Sequence, residues 1–138
     1  MTFALNKTLE VDSRFITDLE LCQVRIMNNS NFPWIILVPK LEGIVEITDL
    51  DDTEYDQLNK EIRLVARAMQ HELVPDKLNI ATIGNIVSQL HVHVIGRYKD
   101  DALFPRPVWG HEHVKYQDAK LEDRVNSLRK VIDRQLQT

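Results

Sequence analysis

The sequence predicts an α+β fold, with one long helix and a C-terminal helix on a mainly antiparallel sheet of about five strands. Three observations lead there. Two apolar runs in the first third are joined by a short polar turn. A long segment then repeats its apolar residues at helical spacing, and a second pair of extended segments precedes a closing amphipathic stretch.

The first twenty residues are the least patterned, and Leu5, Leu9, Phe15, Ile16 and Leu19 suit short helical turns with Asp12 or Ser13 as a cap. Residues 21–27 are extended, Asn28-Asn-Ser-Asn31 is a turn, and residues 34–38 form a continuous apolar run closed by Pro39. The two runs read as a β-hairpin whose second strand is buried. Asp51 and Glu54 have the spacing of a capping box. Behind them Tyr55, Leu58, Ile62, Val65, Met69 and Leu73 recur every three or four positions, which predicts a helix over about 52–73 with Pro75 just past its end. Residues 77–83 and 90–98 read as strands, with Gly84-Asn85 as a turn between them. The last helix, about 119–136, starts after Asp118 and uses Leu121, Val125, Leu128, Ile132 and Leu136 as its stripe. Nothing reads as a linker, a repeat or a low-complexity segment, so residues 1–138 are expected to form one domain.

Composition narrows the function. With 43% hydrophobic and 28% charged residues the chain is an ordinary globule, able to bury a core. The formal charge of −4 and the absence of a Lys or Arg block exclude a nucleic-acid-coating surface. A small phosphorylated ligand stays open, because a few backbone N–H groups and one or two cations can hold it. No apolar run approaches the roughly 20 residues needed to span a bilayer. Cys22 is the only cysteine and cannot form an internal disulfide, and the first residues do not resemble a signal peptide. A cytoplasmic protein with no membrane partner is expected.

The strand over 90–98 carries the chemistry. Alternation turns Leu90, Val92 and Val94 one way, and Gln89, His91, His93 and Arg97 the other. The first three of the second set stand about 6–7 Å apart in steps of two residues. A lone histidine on such a strand is commonly a packed residue with no role. Three nitrogen-bearing side chains in one row, beside a Gly-Asn turn, exceed what packing needs. An imidazole can act as a nucleophile near neutral pH, and it is oriented by whatever binds its other ring nitrogen, a neighbour or a backbone carbonyl.

Gly84-Asn-Ile-Val-Ser-Gln-Leu-His-Val-His-Val-Ile-Gly-Arg97 resembles the signature of the histidine triad (HIT) family, His-φ-His-φ-His-φ-φ with φ apolar. The middle family histidine matches His91 and the last matches His93, while Gln89 stands at the first. Upstream, Arg25-Ile-Met-Asn28 with Ile35-Ile-Leu-Val-Pro-Lys40 is similar to the family's nucleoside-binding hairpin. Weaker similarity in Phe104-Pro-Arg-Pro-Val-Trp-Gly110 extends the HIT-like core to about 21–110. The chain is most similar to the bacterial branch labelled diadenosine-tetraphosphate-hydrolase-like, in which Gln-Leu-His-Val-His is a known variant.

The resemblance implies a nucleotide hydrolase or nucleotidyl transferase. His91 would attack the α-phosphorus of a nucleotide conjugate, and water would resolve the nucleotidyl-imidazole. His93 would bond phosphate oxygens or stabilise developing charge, and Gln89 would orient a phosphate or a neighbouring ring. Asn28 would hold the ribose hydroxyls, Asn85 would contact the phosphate chain, and Gly84 would admit a close backbone approach. Dinucleoside polyphosphates, nucleoside phosphoramidates and nucleotidylated small molecules are the candidate substrates. No metal is required by this chemistry, although Mg²⁺ can neutralise a polyphosphate. The resemblance also implies a homodimer, with the stripe of the long helix not wholly buried within one subunit.

Two further departures stand out. Pro33-Trp34 occupies the place of a family Gly-His pair whose histidine can assist the leaving group, and the phosphate loop is shortened to Thr82-Ile-Gly-Asn85. These residues therefore support nucleotide binding more firmly than fast turnover, and a non-hydrolysing nucleotide sensor is a second reading. A third comes from Gly110-His-Glu-His-Val114, because His91, His93, His111 and His113 would offer four imidazoles to one metal ion. Asn28 and Asn85 also fit plain turn chemistry. Trp34 and Trp109 fit core or rim positions better than base-stacking ones. Arg97 fits a solvated strand end or a bidentate phosphate contact, and Asp100-Asp101 a solvated loop.

Overall fold

The structure, a computed structural model, describes residues 2–138. Its elements are α1 (Lys7–Asp12), β1 (Ser13–Asp18), β2 (Cys22–Met27), β3 (Trp34–Pro39), a 3-10 turn (Ile47–Asp49), α2 (Asp52–Leu73), β4 (Lys77–Ala81), β5 (Val92–Arg97) and α3 (Asp118–Leu136). The five strands form one sheet in the order β1-β2-β3-β5-β4, with every neighbouring pair antiparallel. The α+β prediction holds. None of the described helices is long and apolar enough to cross a membrane.

The two long helices lie where their periodicity put them. Asp51 caps α2 by accepting from the Glu54 N–H at 2.8 Å, and the Glu54 carboxylate returns the contact to the Asp51 N–H at 2.9 Å. Leu58, Val65 and Met69 of α2 pack with Leu121, Val125, Leu128 and Ile132 of α3 against one face of the sheet. Of the stripe expected along α3 only Leu136 stays exposed. The stripe of α2 is not wholly buried within the chain, as expected: Leu58, Val65 and Met69 are at 0% exposure, while Ile62 and Leu73 are partly covered and Tyr55 is exposed.

The N-terminal segment differs from the expectation. Asn6, not Asp12 or Ser13, caps a short helix by accepting from the Thr8 N–H. Phe15 and Ile16 lie in a strand, not in a helical turn. Ser13 to Asp18 pairs with β2 through a register irregularity between Phe15 and Thr17, and Ile16 is fully buried there. Pairing with β2 fixes this segment, and six residues carry too little periodicity of their own to reveal it. The strands around the Gly-Asn turn are shorter than predicted, ending at Ala81 and starting at Val92. Residues 82–91 are loop, and Leu90 is held by its N–H to the Ile44 carbonyl at 3.0 Å.

The opposite face of the sheet carries a smaller core of Leu9, Met27, Phe32, Trp34, Ile36, Val38, Val87, Ile95 and Val108. Strand alternation explains the division: Ile35 and Leu37 of β3 turn to the helices, and Trp34, Ile36 and Val38 turn away from them. Loops and α1, with no long helix, cover this second face.

Two buried polar groups tie the layers together. Glu61 of α2 accepts from the Leu21 and Cys22 N–H groups at 2.8 Å each, which anchors the helix to the start of β2. Burial, reinforced by this carboxylate, pushes the Cys22 thiol up and leaves it an unreactive core residue. Arg97 is 1% exposed, so it is neither a solvated strand end nor a phosphate contact. Its guanidinium forms a fork with Asp101, Nε to Oδ2 at 2.8 Å and Nη2 to Oδ1 at 3.0 Å, and Nη1 donates to Asn79 at 3.0 Å. Asp101 is accordingly a buried ion-pair partner, not part of a solvated loop.

Candidate active site

The loop 82–91 leaves β4, turns at Gly84-Asn85 and enters β5 past His91. Two cavities flank it. A polar one of about 330 Å³ lies among Val45, Glu46, Thr82, Gly84, Ser88 and Gln89. An apolar one of about 320 Å³ lies among Leu9, Met27, Trp34, Val87, His93 and Trp109. Ile83, Asn85 and His91 line both. The second histidine of the pattern thus stands where a polar space meets an apolar one.

Leu90, Val92 and Val94 point into the helix-side core, and His91 and His93 point to the other face, as alternation requires. The two rings are edge to face with centroids 4.8 Å apart, nearer than the strand repeat alone would set them. His91 Nδ1 lies 2.7 Å from the Gln89 backbone carbonyl. A carbonyl only accepts, so Nδ1 carries the hydrogen, and in the neutral ring the free lone pair belongs to Nε2. His93 Nδ1 receives the indole N–H of Trp34 at 2.9 Å, and its Nε2 is buried with no partner among the described residues. Burial first, and then the His91 ring beside it, lower His93 to about 4, with a backbone contact at Ile83 pulling the other way. His93 is therefore uncharged at neutral pH.

Gln89 does not direct its amide at the histidines. Its Oε1 accepts from the Asn6 N–H at 2.8 Å and its Nε2 donates to the Ala4 carbonyl at 2.9 Å. The group that meets His91 is the Gln89 main chain. The side chain fastens the segment leading into α1, whose Thr8, Leu9 and Asp12 form a wall of the apolar cavity. Gln89→Ala is expected to weaken ligand binding several-fold and to raise protease sensitivity before Lys7, with the His91 ring undisturbed. Unchanged affinity together with unchanged proteolysis would reduce this side chain to surface.

The remaining predicted residues sit around this centre. Asn85 is exposed at the junction of the cavities. Gly84 lines the polar cavity, and a Cβ there would come 3.0 Å from the Val87 carbonyl oxygen, so a side chain would require the loop to shift by a few tenths of an ångström. Asn28 lines a neighbouring space with Val11, Asp12, His113 and Lys115. Its Oδ1 already accepts from the Tyr116 N–H at 2.9 Å, which leaves the amide NH₂ to donate. Asp12 and His113 line both this space and the apolar cavity.

Sequence reasoning assigned no site role to Trp34, Trp109 or Asp12. Trp34 is a core residue at 2% exposure and also a partner of His93, and Trp109 is half-buried with its ring 5.1 Å from that of His93. The metal reading needs His91, His93, His111 and His113 to converge. Among the described residues no three His, Cys, Asp or Glu side chains gather as a ligand set, and His111 and His113 lie exposed on their loop.

Fold and site together define an α+β protein with a paired-imidazole cleft on the open face of its sheet. The chain belongs to the HIT domain family, whose model matches residues 8–100. It is similar to a histidine triad protein from Bradyrhizobium japonicum at 41% identity, covering 96% of this chain and 99% of that one with a TM-score of 0.93. A histidine triad protein from Marinobacter aquaeolei is 34% identical, with coverage of 97% and 98% and a TM-score of 0.93. The fold alone is shared with diadenosine triphosphate hydrolase from Plasmodium falciparum, at 17% identity, coverage of 96% and 85%, and a TM-score of 0.67. No curated protein matches the sequence.

Proposed function

We propose that this chain is a nucleotide hydrolase or nucleotidyl transferase that acts at the α-phosphate of a nucleotide conjugate through a covalent nucleotidyl-His91. One observation carries the reading. The Gln89 carbonyl holds His91 Nδ1 at 2.7 Å, which makes Nε2 the free nitrogen, on a ring that lines both a polar and an apolar cavity. The apolar side suits a nucleoside and the polar side a leaving group. In the first step a P–N bond forms from Nε2 as the bond to the leaving group breaks, and the leaving group takes up a proton. Water then attacks phosphorus, the P–N bond breaks, and the imidazole is regenerated.

The linings also favour one substrate class. No Lys or Arg is among the residues lining either cavity, and Glu46 lines the polar one. A polyphosphate leaving group would meet a carboxylate there and would need Mg²⁺ to offset its charge. An amine leaving from phosphorus would find a compatible partner. Nucleoside phosphoramidates are therefore favoured over the dinucleoside polyphosphates of the diadenosine-tetraphosphate-hydrolase-like branch. A hydrolysis screen over both classes and nucleotidylated small molecules, with and without EDTA, tests this against a His91→Ala control. Tight binding with no turnover would favour the sensor, and complete loss on chelation restored by Zn²⁺ would favour the metal reading.

Asn28 and Asp12 flank the nucleoside end, the first as donor and the second as acceptor for sugar hydroxyls. Asn28→Ala is expected to weaken ribonucleotide binding by roughly 1–2 kcal/mol, with a smaller loss for the deoxyribonucleotide. Equal losses in a titration of the two sugars would remove Asn28 from the site. The homodimer belongs to this proposal on family resemblance, and a monomer at micromolar concentration by sedimentation would end it.

A further inference from the structure

In the register of β3 with β5, Ile36 faces His93 and Trp34 faces Ile95, so Trp34 and His93 are diagonal neighbours on the same face of the sheet. Both are buried, at 2% and 4% exposure, and the indole Nε1–H donates to His93 Nδ1 at 2.9 Å. An indole nitrogen can only donate. His93 Nδ1 must therefore accept, and the single proton of the neutral ring sits on Nε2. That Nε2 makes no hydrogen bond of normal geometry among the described residues, the backbone contact of the ring at Ile83 notwithstanding, on a ring that lines the apolar cavity next to His91. The indole nitrogen of Trp109, at the same cavity, is buried and unpartnered too. Buried N–H donors with nothing to meet are rare in folded proteins. Two at one cavity mark a place where an acceptor arrives.

We propose that Trp34 is a positioning residue that fixes His93 as an uncharged Nε2–H donor to a phosphoryl oxygen brought against His91. This rests on the α-phosphate reading above. A second proton on His93 would have to enter at Nδ1, where the indole N–H already points, and two donors would then face each other. The ring is thereby kept out of proton transfer. His93 gives the same hydrogen bond throughout turnover, and the proton taken up by the leaving group comes from water or from the substrate.

The tautomer can be read without any substrate. Long-range ¹⁵N–¹H correlation spectra of the full chain, labelled at histidine, should show His93 with a protonated Nε2 and an unprotonated, hydrogen-bonded Nδ1. Trp34→Phe keeps an aromatic ring but removes the donor. His93 should then lose its single tautomer, and kcat should fall by about tenfold, the scale of one hydrogen bond, with KM within about twofold. A wild-type spectrum with the proton on Nδ1 overturns the proposal, and so do unchanged His93 shifts in the variant. Should Trp34→Phe fail to fold, the wild-type spectrum decides alone. Spectra as expected, with no conjugate cleaved at its α-phosphate, would leave Trp34's hold on the ring standing and remove the catalytic reading it serves.

Discussion

His91→Ala is expected to leave nucleotide affinity within a few-fold of wild type while hydrolysis falls by roughly a thousandfold or more, because removing a covalent nucleophile leaves only binding and charge stabilisation. The ring is buried at 5% exposure and packs edge to face on His93. Its one hydrogen bond is to the main chain of Gln89, and its other neighbours are cavity walls. Truncating a buried ring leaves a cavity, so the unfolding midpoint should fall by a few degrees, while retained nucleotide affinity separates lost chemistry from lost structure. Wild-type protein quenched during turnover should carry the nucleotidyl group in an acid-labile, base-stable linkage, as a phosphoramidate would, and the variant should carry none. A variant that hydrolyses as fast as wild type refutes the assignment.

The largest effect on stability is expected at Asp101. Its carboxylate receives Nε and Nη2 of the buried Arg97 and the N–H groups of Tyr98, Leu103 and Phe104. Burial alone would raise its pKa, but the Arg97 bond and these N–H groups together outweigh burial and bring it to about 2. Asp101→Ala leaves a guanidinium inside the protein with Asn79 and the Phe32 and Phe104 rings for company. The loss should be about 3–5 kcal/mol by urea unfolding, as for other buried pairs stripped of one partner. A folded-state pKa below the unfolded value of about 3.9 means that this contribution is fully present above that pH. It is lost as the pH falls through about 2. The acid sensitivity of wild type over that window should shrink in the variant. A loss below about 1 kcal/mol would show that Arg97 is satisfied without its partner.

The sequence made the helices and the hairpin legible because each carries its own signal. Asp51 and Glu54 mark the start of α2, and a period of three and four runs through both long helices. β1 could not be read this way, since its only instruction is the partner strand it meets. The row of His91 and His93 was visible from alternation and from the family signature. Its surroundings were not, because they depend on residues remote in the chain: Trp34 lies 59 positions from His93, and the Ala4 and Asn6 backbone lies more than 80 from Gln89. Arg97 and Asp101 misled for a related reason. Charged residues near the end of a strand are ordinarily wet, whereas here the rings of Phe32 and Phe104, from separate loops, lie 5.3 and 5.6 Å from the Arg97 guanidinium.

The sheet works with two unlike sides. Helices α2 and α3 cover one, and short loops, α1 and the cavities occupy the other. Local opening on the loop side disrupts fewer apolar contacts than opening on the helix side, so the cleft can breathe while the helix-bound face stays closed. The same asymmetry gives selection a free hand. Changes at exposed loop positions such as Ile86 or Glu112 can retune what is recognised, whereas Leu90 and Asp101 in the same stretches belong to the part that folds. Trp34 belongs to both the core and the cleft, and so does Val87.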